Sequence, residues 1–143
     1  MKVLLPVDGS QHSVQSVVRF IEKPLWWFRE APELHLVYVH LAVPPVPGLH
    51  RVVKQEVIDK YYQDEGDKAL AGAIKVLSGA KLAFVPHVRV GEPAAAIVQY
   101  AEEIGADLIA MGTRGASEVS ALVMGSVASK VLRLSKIPVL FDR

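Results

Sequence analysis

Leu108-Ile109-Ala110-Met111, then Gly112-Thr113-Arg114-Gly115, nine further residues and Gly125-Ser126 form the stretch on which the reading of this chain turns. The apolar run reads as a buried strand, and Val127 to Leu134 repeats apolar residues at helical spacing. Strand, glycine loop and helix make one half of a parallel-sheet unit. Glycine lets a backbone approach a bulky anion and supplies the positive φ that aims successive N–H groups inward. Ser126 would stand at the helix start, where unpaired N–H groups and the helix dipole favour negative charge. The same spacing also fits a plain turn whose glycines only redirect the chain, and by itself it leaves both readings open.

Working outward, strand-like and helix-like patterns alternate from end to end. Lys2 to Val7 is a compact apolar run stopped by Asp8-Gly9-Ser10. Ser10 is an N-cap candidate for a helix carrying Val14, Val17, Val18 and Ile21, which Pro24 should end or kink. Trp26, Trp27 and Phe28 read as core or dimer contact ahead of a strand at Leu34 to His40. Residues 42–50, with three prolines, read as a long loop. A helix is expected over Val52 to Leu77, with an apolar face of Val53, Val57, Tyr61, Ala69, Ala73 and Val76; Gly66 and Gly72 should weaken its middle. Lys81 to Val90 gives a third strand. Proline at the first helical position opens a helix at Pro93, lined by Ile97, Tyr100, Ala101 and Ile104 and ended by Gly105. Asp107 to Gly112 is the fourth strand and Ile137 to Phe141, entered through Pro138, the fifth.

Five strands with helices between them predict an α/β fold, an open parallel sheet with helices on both faces. Ligands of such sheets bind beyond the carboxyl ends of the strands, where strand order reverses. If the first and fourth strands are neighbours, Asp8-Gly9-Ser10 and Gly112 to Gly115 face one crevice. The chain has 143 residues, the size of one domain, and shows no internal repeat or domain boundary. Hydrophobic residues make up 51% and charged ones 22%, which argues against disorder. A net charge of +1 offers no footprint for nucleic acid, and no stretch approaches a membrane span. The apolar start is too short for a signal peptide. The lack of cysteine excludes disulfides and fits the expected cytoplasmic location.

The chain resembles a single-domain universal stress protein over essentially its whole length. Three features carry the likeness: Val3-Leu4-Leu5-Pro6-Val7-Asp8-Gly9-Ser10 as opening strand and acidic turn; the Gly112–Gly115 and Gly125-Ser126 pattern of the family's ATP-binding branch; and Ser126-Val127 through Pro138-Val139-Leu140 as closing helix and strand. The resemblance implies a Rossmann-like sheet in the order 3-2-1-4-5. It implies ATP or another adenine nucleotide in the crevice, with Asp8 at the nucleoside end and Pro6 beside it. Backbone groups of Val39 would meet the adenine edge, and Met111 would pack near base or ribose. Gly112, Arg114, Gly115, Gly125, Ser126 and the Val127 N–H would surround the phosphates, and Mg²⁺ would arrive on those phosphates. It further implies a homodimer through Val139 to Phe141, alongside a protein partner that the sequence does not name.

Each residue also has a plainer use. Asp8 could brace its own turn, Ser126 could be an ordinary N-cap and Arg114 a solvated loop residue. Lys130 is expected to point to water, and His12 to lie near the mouth. His35, His40, His50 and His87 lack metal-ligand spacing and read as structural or surface residues. No lysine stands at the glycine loop as in a Walker motif, and no catalytic constellation converges there by spacing. The expected function is therefore an ATP-binding stress-response regulator acting as a conformational or dimer switch. A slow ATPase and a nucleotide-independent adaptor are the alternatives.

Overall fold

The computed structural model describes residues 1–23, 29–44, 46–115 and 123–142. Pro24 and the Trp26-Trp27-Phe28 cluster lie outside the described residues. The elements run β1 (Lys2–Pro6), α1 (Gln11–Glu22), β2 (Glu33–His40), α2 (Leu49–Val52), α3 (Gln55–Gly79), β3 (Phe84–Val90), α4 (Pro93–Ile104), β4 (Leu108–Gly112), α5 (Ser126–Leu134) and β5 (Val139–Asp142). All four strand pairings are parallel, in the order β3-β2-β1-β4-β5.

Alternation along the strands sorts the core into two layers. Leu4, Val37, Ile109 and Met111 pack with Ile97, Val98 and Ala101 of α4 and with Ala128 and Val131 of α5. Val3, Leu5, Leu34, Leu36 and Ala110 pack on the other face with Val17 and Phe20 of α1 and with Leu70, Ala73 and Leu77 of α3. The expected fold class is therefore the observed one. No helix among the described residues is long and apolar enough to cross a membrane.

Several boundaries move for identifiable reasons. The helix expected over Val52 to Leu77 is two helices, and Leu49 and His50, placed in the loop by the sequence reading, belong to the first. The buried stripe of α3 is Gly66, Leu70, Ala73 and Leu77, while Val57 and Tyr61 stand exposed, so the expected face has the wrong phase in its first half. Nor do the glycines interrupt α3. A Cβ on Gly66 would lie 2.3 Å from Val88 Cγ2, and one on Gly72 would lie 2.9 Å from Val14 Cγ2. The missing side chains let α3 settle onto β3 and α1. The third strand starts at Phe84 rather than Lys81, because N–H groups of Ala80, Lys81 and Leu82 are spent on the last carbonyls of α3. Lys81 adopts a φ of 56° there. Ile137 is held in a turn by the Ser135 hydroxyl, which delays β5 to Val139.

Candidate functional site

The crevice begins where β1 and β4 part. Asp107 N–H donates to the Lys2 carbonyl, whereas Val7 N–H donates to Val37 of β2. By alternation Lys2, Leu4 and Pro6 therefore direct their main-chain groups toward β4. Pro6 has no N–H, so Leu4 is the last β1 residue able to donate on that side. The β1–β4 register accordingly stops at Leu4↔Ile109, while β1 stays paired with β2 through Pro6↔Val37. Beyond that point β4 remains paired only with β5, as far as Gly112↔Asp142.

A cavity of about 500 Å³ opens in this gap. All ten residues expected at the site line it: Pro6, Asp8, Val39, Met111, Gly112, Arg114, Gly115, Gly125, Ser126 and Val127. Met111 and Pro6 are buried, and Val39, Arg114 and Gly115 are partly exposed. His12 does not line it.

Asp8 has the bracing role the sequence left open. Its Oδ1 accepts the Ser10 N–H at 2.9 Å and the Ser10 hydroxyl at 2.6 Å. The Asp8 N–H donates to Ser13 Oγ at 3.3 Å, and Ser10 Oγ in turn accepts the Ser13 N–H as the N-cap of α1. These bonds leave the carboxylate fixed at the cavity wall. A Cβ on Gly115 would lie 2.7 Å from Asp8 Oδ2, so only glycine fits there without displacing the carboxylate.

The N-cap of α5 is Gly125, not Ser126, and among the described residues no side chain caps this helix. Gly125 donates its own N–H to Thr113 at 2.7 Å, closing the loop onto its start. The first intrahelical bond runs from Ser129 to Gly125 at 3.0 Å, which leaves the N–H groups of Ser126, Val127 and Ala128 ahead of it. All three residues line the cavity.

On the opposite side, Val39 shares strand parity with Val37 and turns its N–H and carbonyl toward β1, beyond the last β1 partner. One donor and one acceptor are thus presented in the sheet plane.

Several lining residues escaped the sequence reading. Tyr38, His40 and Leu41 follow from β2 reaching the same carboxyl edge, and Pro93 and Ile97 from α4 starting there. The strand-end rule would have found them had it been applied to every strand. The His40 ring packs edge-on against Tyr38, Tyr61 and Tyr62, so it joins an aromatic wall rather than the surface. Burial, followed by the neighbouring Glu65, Tyr61 and Asp8, holds the Tyr38 phenol above its ordinary range. Tyr62 also accepts the Val43 N–H at 2.9 Å, tying the start of the proline-rich loop to α3. Lys130 is ion-paired with Glu92 at 3.1 Å rather than solvated alone. The Glu92 carboxylate accepts the Ala95 N–H as the N-cap of α4, and that bond together with Lys130 keeps it below the usual carboxylate range.

The universal stress protein family model matches residues 1–143. The chain belongs to the universal stress protein family. It is 32% identical to Universal stress protein MJ0531 of Methanocaldococcus jannaschii over 97% of this chain and 79% of that protein. A universal stress protein of Thermus aquaticus is 33% identical over 99% and 97% of the two chains. Among solved structures, hypothetical protein MJ0577 has 25% identity and a TM-score of 0.73 over 98% of this chain and 93% of that one. A universal stress protein in complex with cAMP shares the fold at 24% identity and TM-score 0.71, covering 100% and 97%. So does an Arabidopsis thaliana family member with AMP bound, at 16% and 0.69, covering 99% and 90%.

Proposed function

We propose that this universal stress protein binds an adenine nucleotide, ATP in its physiological form, and uses occupancy as a regulatory switch. One observation carries the reading. Across three neighbouring strands the cavity presents a main-chain donor and acceptor at Val39, then Asp8, then the open N–H groups of Ser126, Val127 and Ala128. Strands lie about 4.8 Å apart, so β2 and β4 are separated by about 10 Å, the scale of a nucleoside monophosphate from base to phosphate. In-plane donor and acceptor suit an adenine edge, a carboxylate suits ribose hydroxyls, and a helix N-terminus suits phosphate. The neighbours solved with cAMP and AMP support the same ligand class. Asp8 is the only carboxylate among the described lining residues, a donor set that fits Mg²⁺ held mainly by phosphate oxygens and water. Titration calorimetry with ATP and Mg²⁺ should show saturable heat that Asp8→Ala weakens. Absence of both heat and a thermal shift at millimolar nucleotide would end this reading.

The two sheet edges support a homodimer through Val139 to Phe141. On β3 the outward groups belong to Phe84, Pro86, Val88 and Val90, since Gly91 shares inward parity and bonds His40. Pro86 removes a donor from the centre of that edge, which opposes strand addition. On β5 the residues facing β4 are Pro138, Leu140 and Asp142, because Ile109 and Thr113 donate to Pro138 and Asp142. Val139 and Phe141 therefore turn intact N–H and C=O groups outward, toward a second copy of the strand. Light scattering should find a dimer and a Val139→Pro variant should be monomeric; a monomer in both cases removes the dimer.

A further inference from the structure

We propose that the outward stripe of α3 is a self-recognition surface, on which two copies of this chain pair their α3 helices antiparallel about a twofold axis. The stripe lies on the part of the helix that the core does not cover. From Gln55 to Glu65 only Ile58, Tyr62 and Glu65 are even partly buried. Val57 is 57% and Tyr61 47% exposed, one helical turn apart on one face. With the N-cap Lys54 before them and Asp64 after, they follow a three-four-three spacing, the seam of a coiled coil. A helical segment with so little core contact draws little stability from its own chain, and burying this apolar pair favours a partner.

Charge identifies the occupant. Lys54 and Asp64 are both exposed, and neither has an ion-pair partner among the described residues. Set antiparallel, the stripe is its own complement. Val57 meets the partner's Tyr61 and Lys54 meets the partner's Asp64, each contact occurring twice across the axis. A parallel pairing instead sets lysine against lysine and aspartate against aspartate. Tyr61 is already oriented, its ring 5.6 Å from His40 and 5.8 Å from Tyr62, so little side-chain freedom is lost on contact. The seam spans about three turns and falls below the roughly 1,000 Å² of a stable interface, so alone it is a weak contact. Because α3 seats on β3 and β5 forms the other edge of the sheet, this pairing does not compete with pairing through β5. The two contacts together link dimers into tetramers or longer chains.

Sedimentation equilibrium on the full chain carrying Val139→Pro, which is built to prevent pairing through β5, tests the seam alone. This variant should be monomeric when dilute and shift toward a dimer as its concentration approaches about 1 mM. Lys54→Asp or Asp64→Lys should each weaken that association severalfold. Both changes in one chain should restore it, since the pair is rebuilt with its signs exchanged. Added salt should weaken the original and the rebuilt seam alike. Lys54→Asp places a favoured residue at the N-cap, so loss of fold does not account for its effect. If Val139→Pro prevents folding, the wild-type chain serves the same comparison through its growth beyond the dimer. A chain that gains no association at the highest concentration leaves the stripe to a partner of another sequence and overturns the proposal. Single charge reversals without effect, or a double variant that stays as weak as the singles, overturn it too.

Discussion

Two regions of this protein use glycine for opposite ends. In α3 the absent side chains at Gly66 and Gly72 are filled by neighbours, Val88 and Val14, and the result is a closed contact between helix and sheet. In the loops after β4 the absent side chain at Gly115 leaves room for the Asp8 carboxylate, and the surrounding backbone keeps a cavity open. The first region turns glycine into core packing, the second into access for a ligand. Residue type alone does not separate them. What separates them is which element arrives at the vacated position.

Substitutions to alanine test that distinction, because each adds the one carbon at issue. Gly66→Ala should have the largest effect. Its Cβ would meet three Val88 atoms at 2.3, 2.8 and 3.1 Å, and one of them is the branch carbon itself, which cannot step aside. Overpacking of this kind costs about 1–3 kcal/mol, offset in part by about 1 kcal/mol of helix propensity. A net loss of about 1–2 kcal/mol and a fall of several degrees in Tm are expected in thermal unfolding, with Val88→Ala restoring most of it. An unchanged Tm would erase the packing role.

Gly115→Ala should act on binding and spare the fold. The displaced Asp8 carboxylate should weaken adenylate affinity by about tenfold, or 1.4 kcal/mol, while stability changes by less than about 0.5 kcal/mol. Equal loss of stability and binding would place this glycine with Gly66 and dissolve the contrast. Gly79, at the end of α3 with nothing within 4 Å of an added Cβ, is the control. Alanine there should stabilise by about 0.5 kcal/mol through the unfolded state and helix propensity, measured as a higher urea midpoint. Gly72→Ala should be nearly neutral, since its 2.9 Å contact is with one terminal methyl of Val14 and the helix gain opposes it. A cost as large as that of Gly66→Ala would show that distance to the nearest atom does not rank these sites.

The same contrast explains what the sequence made legible. Alternating patterns located all five strands to within a few residues, because burial on both faces demands near-continuous apolar runs such as Val3 to Val7 and Leu108 to Met111. The crevice, with Asp8-Gly9-Ser10 and Gly112 to Gly115 at its edge, followed from strand ends, whereas Pro6, Val39 and Met111 were expected there only through the family resemblance. The phase of α3 did not follow. Val57 and Tyr61 satisfy helical spacing as well as Leu70 and Leu77 do, and only the seat of α3 on β3 and α1 chooses between the two stripes. The split at α2 and the aromatic wall around His40 were hidden likewise, since both depend on how α3 meets the end of β2.

From sequence alone, then, came the order of elements, the open parallel sheet and the pairing of an acidic turn with a glycine loop. These are consequences of local periodicity and of backbone groups that have to be satisfied wherever the chain is buried. Tertiary structure alone decided that Gly66 is a contact and Gly115 a clearance, and that Lys130 is held by Glu92 away from solitary solvation. Such assignments depend on distances of a few ångströms between residues far apart in the chain, and local propensity has no access to them.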